Sequence, residues 1–527
     1  MAPRGLISGP VSASPHGVSK AFRFAKYTVA LAIPGWAFWR LSIPMLASPL
    51  GYDEQVFVWS GWSILKGLAP YRDFMEWKPP LAFLTHALAL KLFGMQGLHF
   101  RYFFLLLSMA SILALVASLI KGGADVVLSS AFGLAMVHLF LFPGFHETFV
   151  ADTESIGAAY YYLGIAALIA NTRFRRAAEI AGGILLTCCA LSKEPFMPCV
   201  VATWASCYFV VHRRFSRGTA FHYFKYTTIG VGAVVAALSL YMVPTGAMSA
   251  YLALVRRYAT MFSDPQTGYC VLLGSFKPTG RLFEDLPVQW RIMRQQFINP
   301  ATLGFLVPFW AASLIFLPRR SWALLVSALV AMTVSFYGVT MTHCFFPHYY
   351  IMGESGMIFF LAMGVDALGR RLSFGHPGTR LWAQSAVFLA MAVHVWPRID
   401  AVSHLALLDA PRPAEPAPGL FDFVHANSGP ADKIFTTGPP ALYVLVDRLP
   451  AVKGYPVIDE LIPAMSGGTD EEKLRPLYEQ LLNSRPKIVF LDPENGHRKR
   501  RHLTSAIMPF LSTLNYVKVN DNLYKRD

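Results

Sequence analysis

Two short polar runs near the start of this sequence hold side chains that could do chemistry. Gly51-Tyr52-Asp53-Glu54 places two adjacent carboxylates directly after the first long apolar run, and Tyr71-Arg72-Asp73 and Lys78-Pro79-Pro80 follow it. A carboxylate can take a proton from a reacting hydroxyl, and a lysine at a helix start can bind phosphate. We therefore consider Asp53 and Glu54 as candidates for a general base and Lys78 as a phosphate ligand, with snorkelling at a membrane surface as the alternative for Lys78.

Structural roles are the alternatives for the acids. An aspartate before an apolar-periodic run is a preferred helix N-cap, so Asp53 could cap the helix that follows it. Asp73 could cap the next helix or bind an acceptor. The sequence does not say which of the adjacent Asp53 and Glu54 faces a substrate.

The composition indicates the class of protein that must position these side chains. Of the 527 residues, 54% are hydrophobic and 15% are charged, and the mean hydropathy is +0.42. Soluble domains carry about 25% charged residues, so this chain is too apolar for that class. The sequence predicts an α-helical polytopic membrane protein.

Eleven apolar runs are long enough to cross a bilayer core as helices. The first run lacks a following cleavage site and is predicted to be retained as a helix. The predicted spans are 27–46, 102–120, 125–143, 155–171, 177–193, 196–212, 226–246, 301–317, 321–341, 349–367 and 380–396.

Arginine and lysine fall in every second loop, which predicts a cytoplasmic N-terminus by the positive-inside rule. Much of the net charge of +15 lies in these loops, so nucleic acid is not a predicted partner. The chain contains no Asn-x-Ser/Thr acceptor, which favours a bacterial inner membrane.

The remaining carboxylates and several histidines fall in the outward set of loops. Asp152 and Glu154 begin a predicted span and are either helix caps or substrate-binding residues. Lys193 ends another span and His348 precedes a late one; we predict that both bind substrate, with snorkelling as the alternative for Lys193. The long segment 247–300 is basic and includes Arg256, which could bind the phosphate of a lipid-linked substrate or only contact head groups.

The histidines also raise the alternative of a divalent metal. His146, Glu147, His343 and His348 offer suitable ligand atoms, but their spacing is not diagnostic of a metal site. We therefore predict no cofactor and keep a divalent metal as the alternative.

The chain changes character after the last predicted span. We assign 1–408 to a transmembrane catalytic domain, 409–419 to a proline-rich linker and 420–527 to a small extracytoplasmic α/β domain. Strand-like runs at 433–437, 487–492 and 516–519 alternate with helical patterns around 471–482 and 502–514.

The order of these motifs resembles one family. Apolar spacing on both sides of 71–80 predicts two surface helices that form a lid. The acidic pair after the first span, the Tyr-x-Asp and Lys-Pro-Pro elements, Ala151-Asp152-Thr153-Glu154, Leu191-Ser192-Lys193-Glu194-Pro195 and Pro347-His348-Tyr349-Tyr350 together resemble the GT-C glycosyltransferases. The similar branch holds lipid A aminoarabinose transferases and protein O-mannosyltransferases. Glu194 departs from the glycine that is usual in that branch.

This resemblance implies a GT-C fold and an inverting transfer of a sugar from a polyprenyl-phosphate carrier to an acceptor hydroxyl on the outer side of the membrane. It implies a lipid-linked sugar donor and a glycolipid, polysaccharide or protein acceptor as partners, without a catalytic metal. The alternative function is a transporter or flippase of lipid-linked sugars. Transporters usually carry repeated halves and polar residues near mid-span, whereas the ionisable residues here gather at the outward ends of spans.

Overall fold

The structure is a computed structural model. It describes residues 20–263 and 419–526 with gaps, the longest at 142–150, 454–469 and 492–506, and single helical positions between 287 and 396. The four predicted spans from 301 onwards, His348 and most of the linker lie outside the described residues, apart from those single positions. The chain divides into a helical unit (1–47, 104–238 and 259–408) and a mixed unit (48–103, 239–258 and 409–527).

The division differs from the domain boundaries that the sequence indicates. Residues 48–103 and 239–258, which the sequence assigns to the membrane half, group with the C-terminal region in the mixed unit. The two candidate catalytic acids and Lys78 therefore belong to the same compact unit as the α/β domain.

Ten helices occupy the described part of the chain up to residue 263. They are α1 (Lys20–Ala47), α2 (Tyr52–Leu65), α3 (Pro80–Phe93), α4 (Phe100–Lys121), α5 (Val126–Leu141), α6 (Thr153–Ile169), α7 (Arg175–Ala190), α8 (Met197–His212), α9 (Arg217–Met242) and α10 (Ala247–Ser263). The seven predicted spans between 27 and 246 coincide with α1 and α4–α9. Among the described helices, α4 and α9 are long and apolar enough to cross a membrane, whereas α5 and α8 are apolar but shorter.

The two helices predicted on either side of 71–80 are α2 and α3, and both have clear sequence boundaries. Gly51 is the N-cap of α2, and the Glu54 carboxylate accepts a hydrogen bond from the Gly51 N–H at 3.3 Å. Pro79 and Pro80 begin α3, because a proline in the first turn lacks only an N–H that would be unpaired there. Gly94 ends α3 with a φ of 76°, a conformation that favours glycine.

Helices α7 and α9 approach each other through glycines. A Cβ added to Gly183 would lie 2.1 Å from the Thr227 carbonyl oxygen, and one added to Gly230 would lie 2.2 Å from the Ile180 carbonyl oxygen. Real side chains do not tolerate such distances. Small residues at helix interfaces allow this close backbone packing, which is a common source of stability in membrane helices.

We expect Gly183→Ala to lower the stability of the helical unit by about 1–3 kcal/mol or more, because the added methyl group must separate two backbones. Gly232→Ala on α9 is the matched control, since an added Cβ there would meet nothing within 4 Å. Thermal unfolding in detergent should show a lower melting temperature for Gly183→Ala alone. Equal melting temperatures for the two variants would contradict the close packing.

The C-terminal region forms a small α/β fold, as the sequence predicts. Its strands are β1 (Lys433–Thr436), β2 (Leu449–Pro450), β3 (Ile488–Phe490), β4 (Tyr516–Asn520) and β5 (Leu523–Arg526), and its helices are α11 (Leu420–Asn427), α12 (Ala441–Leu445) and α13 (Asp470–Ser484). The sheet order is β2-β1-β3-β5-β4, with β2, β1 and β3 parallel and β5 antiparallel to both of its neighbours. The predicted helix 502–514 lies largely outside the described residues.

Candidate functional site

The two adjacent acids in the first turn of α2 lie in different environments. Asp53 is exposed, whereas the Glu54 side chain is fully buried. Arg101 on α4 donates to Glu54 through Nε at 2.7 Å and through Nη2 at 2.6 Å, and this arginine is also buried. Both carboxylate oxygens of Glu54 are therefore engaged by one guanidinium, the geometry that makes arginine–carboxylate pairs strong.

The position of Asp53 in α2 decides whether this residue is the helix cap. The N-cap of α2 is Gly51, and Asp53 lies two residues inside the helix, so it does not cap α2. Its carboxylate remains in the first turn, where a negative charge is favoured by the helix dipole. Of the two acids, Asp53 is the one whose carboxylate is open to solvent.

The loop between α2 and α3 is held in shape by Tyr71. This buried residue has a φ of 64°, which is uncommon for a residue with a bulky side chain. Its hydroxyl donates to the Lys78 carbonyl oxygen at 2.7 Å, and its ring lies 4.8 Å from that of Tyr251 on α10. Tyr71 thereby fixes the backbone of half-buried Lys78 at the start of α3.

Arg72 and Asp73 form a second local arrangement in this loop. Arg72 donates to Asp73 through Nε at 2.9 Å and through a short bond from Nη2, and its Nη1 donates to the Thr245 carbonyl oxygen at 2.6 Å. Asp73 also accepts from the Ala69 N–H at 2.9 Å, while Pro79 is the N-cap of α3. Asp73 therefore does not cap α3, and the Arg72 hydrogen bond holds the pKa of its carboxyl below the usual range.

Asp447 joins α2 to the α/β fold within the mixed unit. This residue has a φ of 51°, and its Oδ1 accepts from Lys66 Nζ at 2.7 Å and from Trp62 Nε1 at 3.1 Å. Partial burial raises the pKa of Asp447, but the hydrogen bond and charge of Lys66 and the bond from Trp62 outweigh burial and bring this pKa below its ordinary value. The contact holds α12, whose Tyr443 ring lies 6.4 Å from that of Trp59, against the helix that carries Asp53.

We expect Asp447→Asn to loosen this contact, because asparagine tolerates a positive φ but loses the charge that pairs with Lys66. Hydrogen exchange should rise in the peptides that cover α12 and the end of α2. Asp521→Asn, in an exposed pair with Lys518 at the β4–β5 turn, should leave exchange in those peptides unchanged.

Acid should have the same effect on the native Asp447 contact. Because its pKa is lowered in the folded state, the stabilisation is complete above the ordinary value of 3.8 and is lost as the pH falls through the lowered pKa. Unchanged exchange in Asp447→Asn at neutral pH would contradict a role for this carboxylate in holding α12.

The other acids and the second lysine meet inside the helical unit. Lys193 Nζ lies 2.5 Å from Glu154 Oε1, both side chains are buried, and Thr153 Oγ1 donates to Glu154 Oε2 at 2.7 Å. Asp152 occupies the N-cap position of α6 without a side-chain capping hydrogen bond, so both interpretations of this residue stay predictions. The pair links the start of α6 to the segment between α7 and α8.

The backbone at Lys193 explains why Glu194 is tolerated. Lys193 is extended, with φ −151° and ψ 123°, and Glu194 begins a short 3₁₀ helix that ends at Phe196. Position 194 is not among the residues with positive φ, so it does not require glycine. The departure from the resembled motif is therefore compatible with the local fold.

The remaining candidates are distributed as follows. Arg256 is exposed on α10, whereas His348 and the possible metal ligands His146, Glu147 and His343 lie outside the described residues. Within the described ranges, no group of three or more histidine, cysteine, aspartate or glutamate side chains could hold a metal ion.

Sequence reasoning did not find Arg101, Trp62 or Asp447 as partners of the site. The one available signal for Arg101 was an arginine inside the first turn of a strongly apolar helix, where an unpaired charge is costly.

No protein-family model matches the sequence, and no curated protein matches it significantly. Solved structures do match. ArnT from Cupriavidus metallidurans in the apo state has a TM-score of 0.51 at 14% identity, and ArnT bound to undecaprenyl phosphate has a TM-score of 0.54 at 12% identity. Each match covers 96% of this chain and 98% of the ArnT chain. The archaeal oligosaccharyltransferase AglB from Archaeoglobus fulgidus has a TM-score of 0.45 at 14% identity, and that match covers 96% of this chain and 75% of the AglB chain.

At these identities the likeness to ArnT concerns the fold, and it extends over nearly the whole of both chains. The resemblance that the motifs indicate is confirmed at the level of the fold, which this chain shares with the ArnT structures.

Proposed function

We propose that this protein is an inverting glycosyltransferase that moves a sugar from a polyprenyl-phosphate-linked donor to an acceptor hydroxyl on the outer face of a bacterial inner membrane. The observation that carries the proposal is the separation of the two adjacent acids, which leaves Asp53 exposed while Arg101 engages both oxygens of Glu54. The fold supports it, since the ArnT structure that it resembles was solved with undecaprenyl phosphate.

The proposed reaction is a single displacement. The acceptor oxygen forms a bond to the anomeric carbon while the bond from that carbon to the phosphate oxygen breaks, and the phosphate leaves with the electron pair. Attack opposite the leaving group inverts the anomeric centre. Asp53 takes the acceptor proton, a role that requires an ionised carboxylate within hydrogen-bond reach of the hydroxyl.

Positive charge is needed where the phosphate departs. Lys78 suits this role, because it precedes α3, whose first turn favours anions, and because Tyr71 fixes its backbone. Exposed Arg256 on α10 is a further proposed ligand of the lipid phosphate, and His348 stays a predicted substrate contact.

The other candidates take positioning roles in this proposal. Asp73 is held by Arg72 and shapes the loop that presents Lys78. Lys193 and Glu154 form a buried pair at the start of α6, where Asp152 occupies the N-cap position, so we assign all three to the support of the helical unit. The acceptor is a glycolipid, a polysaccharide or a protein.

The decisive experiment compares the envelope glycolipids and glycans of a deletion strain with those of its parent by mass spectrometry. We expect one monosaccharide to be missing from one class of acceptor, and the purified protein to restore it when supplied with the parent's lipid-linked sugars. Transport of an intact lipid-linked sugar across proteoliposomes without its cleavage would replace the proposal by the transporter alternative.

We expect transfer to continue without a divalent metal, because a lysine at a helix start supplies positive charge to the leaving phosphate. Turnover of the purified protein should be unchanged after treatment with EDTA and exchange into metal-free buffer. A loss of turnover that added Mn²⁺ or Zn²⁺ restores would show that a metal takes part.

A further inference from the structure

A cavity of about 370 Å³ lies within the mixed unit, apart from Asp53. One wall is the loop that contains Leu68 and Asp73, and the other is the end of β2 with the last turn of α13. Ligand sites for small molecules usually measure about 300–1,000 Å³, so the cavity has the size of a modest ligand site.

The lining combines an apolar floor with polar groups of several kinds. Leu68, Leu449 and Val452 are among the apolar residues. The polar lining residues are Asp73, Lys433, Lys453, Gln480, Asn483 and Ser484. An apolar floor with a few placed polar groups is the usual composition of a specific ligand site.

The arrangement of hydrogen-bonding groups indicates which ligand the cavity suits. An ionised carboxylate offers about four lone-pair positions. In the described part of the chain, Asp73 uses two on Oδ2, for Arg72 and Ala69, and one on Oδ1, for Arg72. This leaves an acceptor position on Oδ1, beside Lys453 Nζ at 3.9 Å.

The α13 side of the cavity supplies both donors and acceptors. Gln480 Oε1 accepts from the Lys453 N–H at 2.7 Å, which fixes this side chain at the wall. The Asn483 amide can both donate and accept. Ser484 Oγ is buried and has no hydrogen-bond partner among the described residues, although buried hydroxyls are normally paired.

A ligand with hydroxyl groups matches this lining better than an anion does. Lysines alone would suit an anion, but here the Asp73 carboxylate lies beside Lys453. The amides and the serine can pair with groups that both donate and accept hydrogen bonds. The apolar floor suits the C–H face of a sugar ring. We propose that this cavity is a subsite for a saccharide unit of the acceptor, a proposal that rests on the glycosyltransferase function proposed above.

The site would give the α/β fold a role in acceptor choice. It draws one wall from the loop that leads to Lys78 and the other from β2 and α13, so it exists only while these segments stay together. A saccharide bound there would be held by the same loop that Arg72 and Tyr71 shape.

The test uses the full-length protein in nanodiscs and a defined probe: water-soluble oligosaccharides released by mild acid from the envelope of the deletion strain. Saturation-transfer difference NMR should show binding to the wild-type protein. The signals should fall several-fold in Asn483→Ala and in the double variant Asn483→Ala/Ser484→Ala. Glu479→Ala is the matched control, since this exposed residue lies on α13 but does not line the cavity.

Kinetics provide the second measurement. Asn483→Ala should raise the KM for the intact acceptor by about two- to tenfold, the effect of losing one hydrogen bond, while kcat and the KM for the lipid donor stay unchanged. Equal binding by the wild type and Asn483→Ala, absence of binding to the wild type, or displacement of the probe by inorganic phosphate would overturn the proposal.

The two proposals fail in different ways. If the protein transfers no sugar, NMR binding to the cavity remains measurable and only the glycosyltransferase function is lost. If transfer proceeds and Asn483→Ala leaves both binding and the acceptor KM unchanged, the saccharide subsite alone is wrong.

Discussion

Asp53→Asn is expected to reduce sugar transfer by about 10²–10⁴-fold, the usual contribution of a positioned general base. Asparagine keeps the size of the side chain and its place in the first turn of α2 but cannot take the acceptor proton. Because Asp53 is exposed and is not the N-cap of α2, the folded protein should persist. Transfer would be followed with purified protein, a polyprenyl-phosphate-linked sugar and the acceptor that accumulates in the deletion strain.

Asp422→Asn is the matched control for this experiment. Asp422 is also an exposed acid in the first turn of a helix, α11, so its replacement removes the same favourable interaction with a helix dipole. We expect Asp422→Asn to retain full transfer and both variants to melt at nearly the same temperature. Near-normal transfer by Asp53→Asn would assign the base to another residue.

The sequence predicted the positions of the described helices between 20 and 242 that lie outside the α2–α3 region, because a long apolar run marks a helix, and two of them, α4 and α9, are long and apolar enough to cross a membrane. The runs at 102–120 and 226–246 coincide with α4 and α9, and the shorter helices α5 to α8 also fall where such runs occur. The boundaries of α3 were also predictable, since Pro79, Pro80 and Gly94 act through their own backbone geometry.

The sequence could not separate Asp53 from Glu54, because the difference between them is made by a distant residue. Glu54 is buried because Arg101, on a different helix, reaches both of its oxygens. Neighbouring positions on a helix point about 100° apart. The local sequence pattern does not show which of the two positions faces Arg101. The pairing of Lys193 with Glu154 was hidden for the same reason.

The small sheet also contains strands that the local sequence could not predict. β1, β3 and β4 contain enough apolar or β-branched residues to be predicted, whereas β2 has only two residues and β5, Leu523–Arg526, ends in two charged residues. Both of these strands are defined by pairing, β2 with β1 and β5 with β3 and β4. The sequence therefore could not predict that β2 forms a wall of the cavity lined by Asp73 and Asn483.

Arg101→Met is expected to lower the free energy of unfolding by about 3–5 kcal/mol, because it leaves the Glu54 carboxylate buried without its counter-charge. The two side chains are only 2% and 0% exposed, so water cannot replace the guanidinium without opening the packing around α2 and α4. Unfolding in mixed SDS micelles would measure the loss. An exposed pair is the control: Lys518→Met should produce no measurable change.

A second variant separates the lost charge from lost packing. If the cost of Arg101→Met comes from an uncompensated carboxylate, the double variant Glu54→Leu/Arg101→Met should recover most of the stability, since a buried pair can often be replaced by apolar residues. The double variant should also keep measurable transfer, because Asp53 remains. Wild-type stability in Arg101→Met would instead mean that Arg101 does not hold Glu54, and Glu54 would then stand beside Asp53 as a candidate for the base.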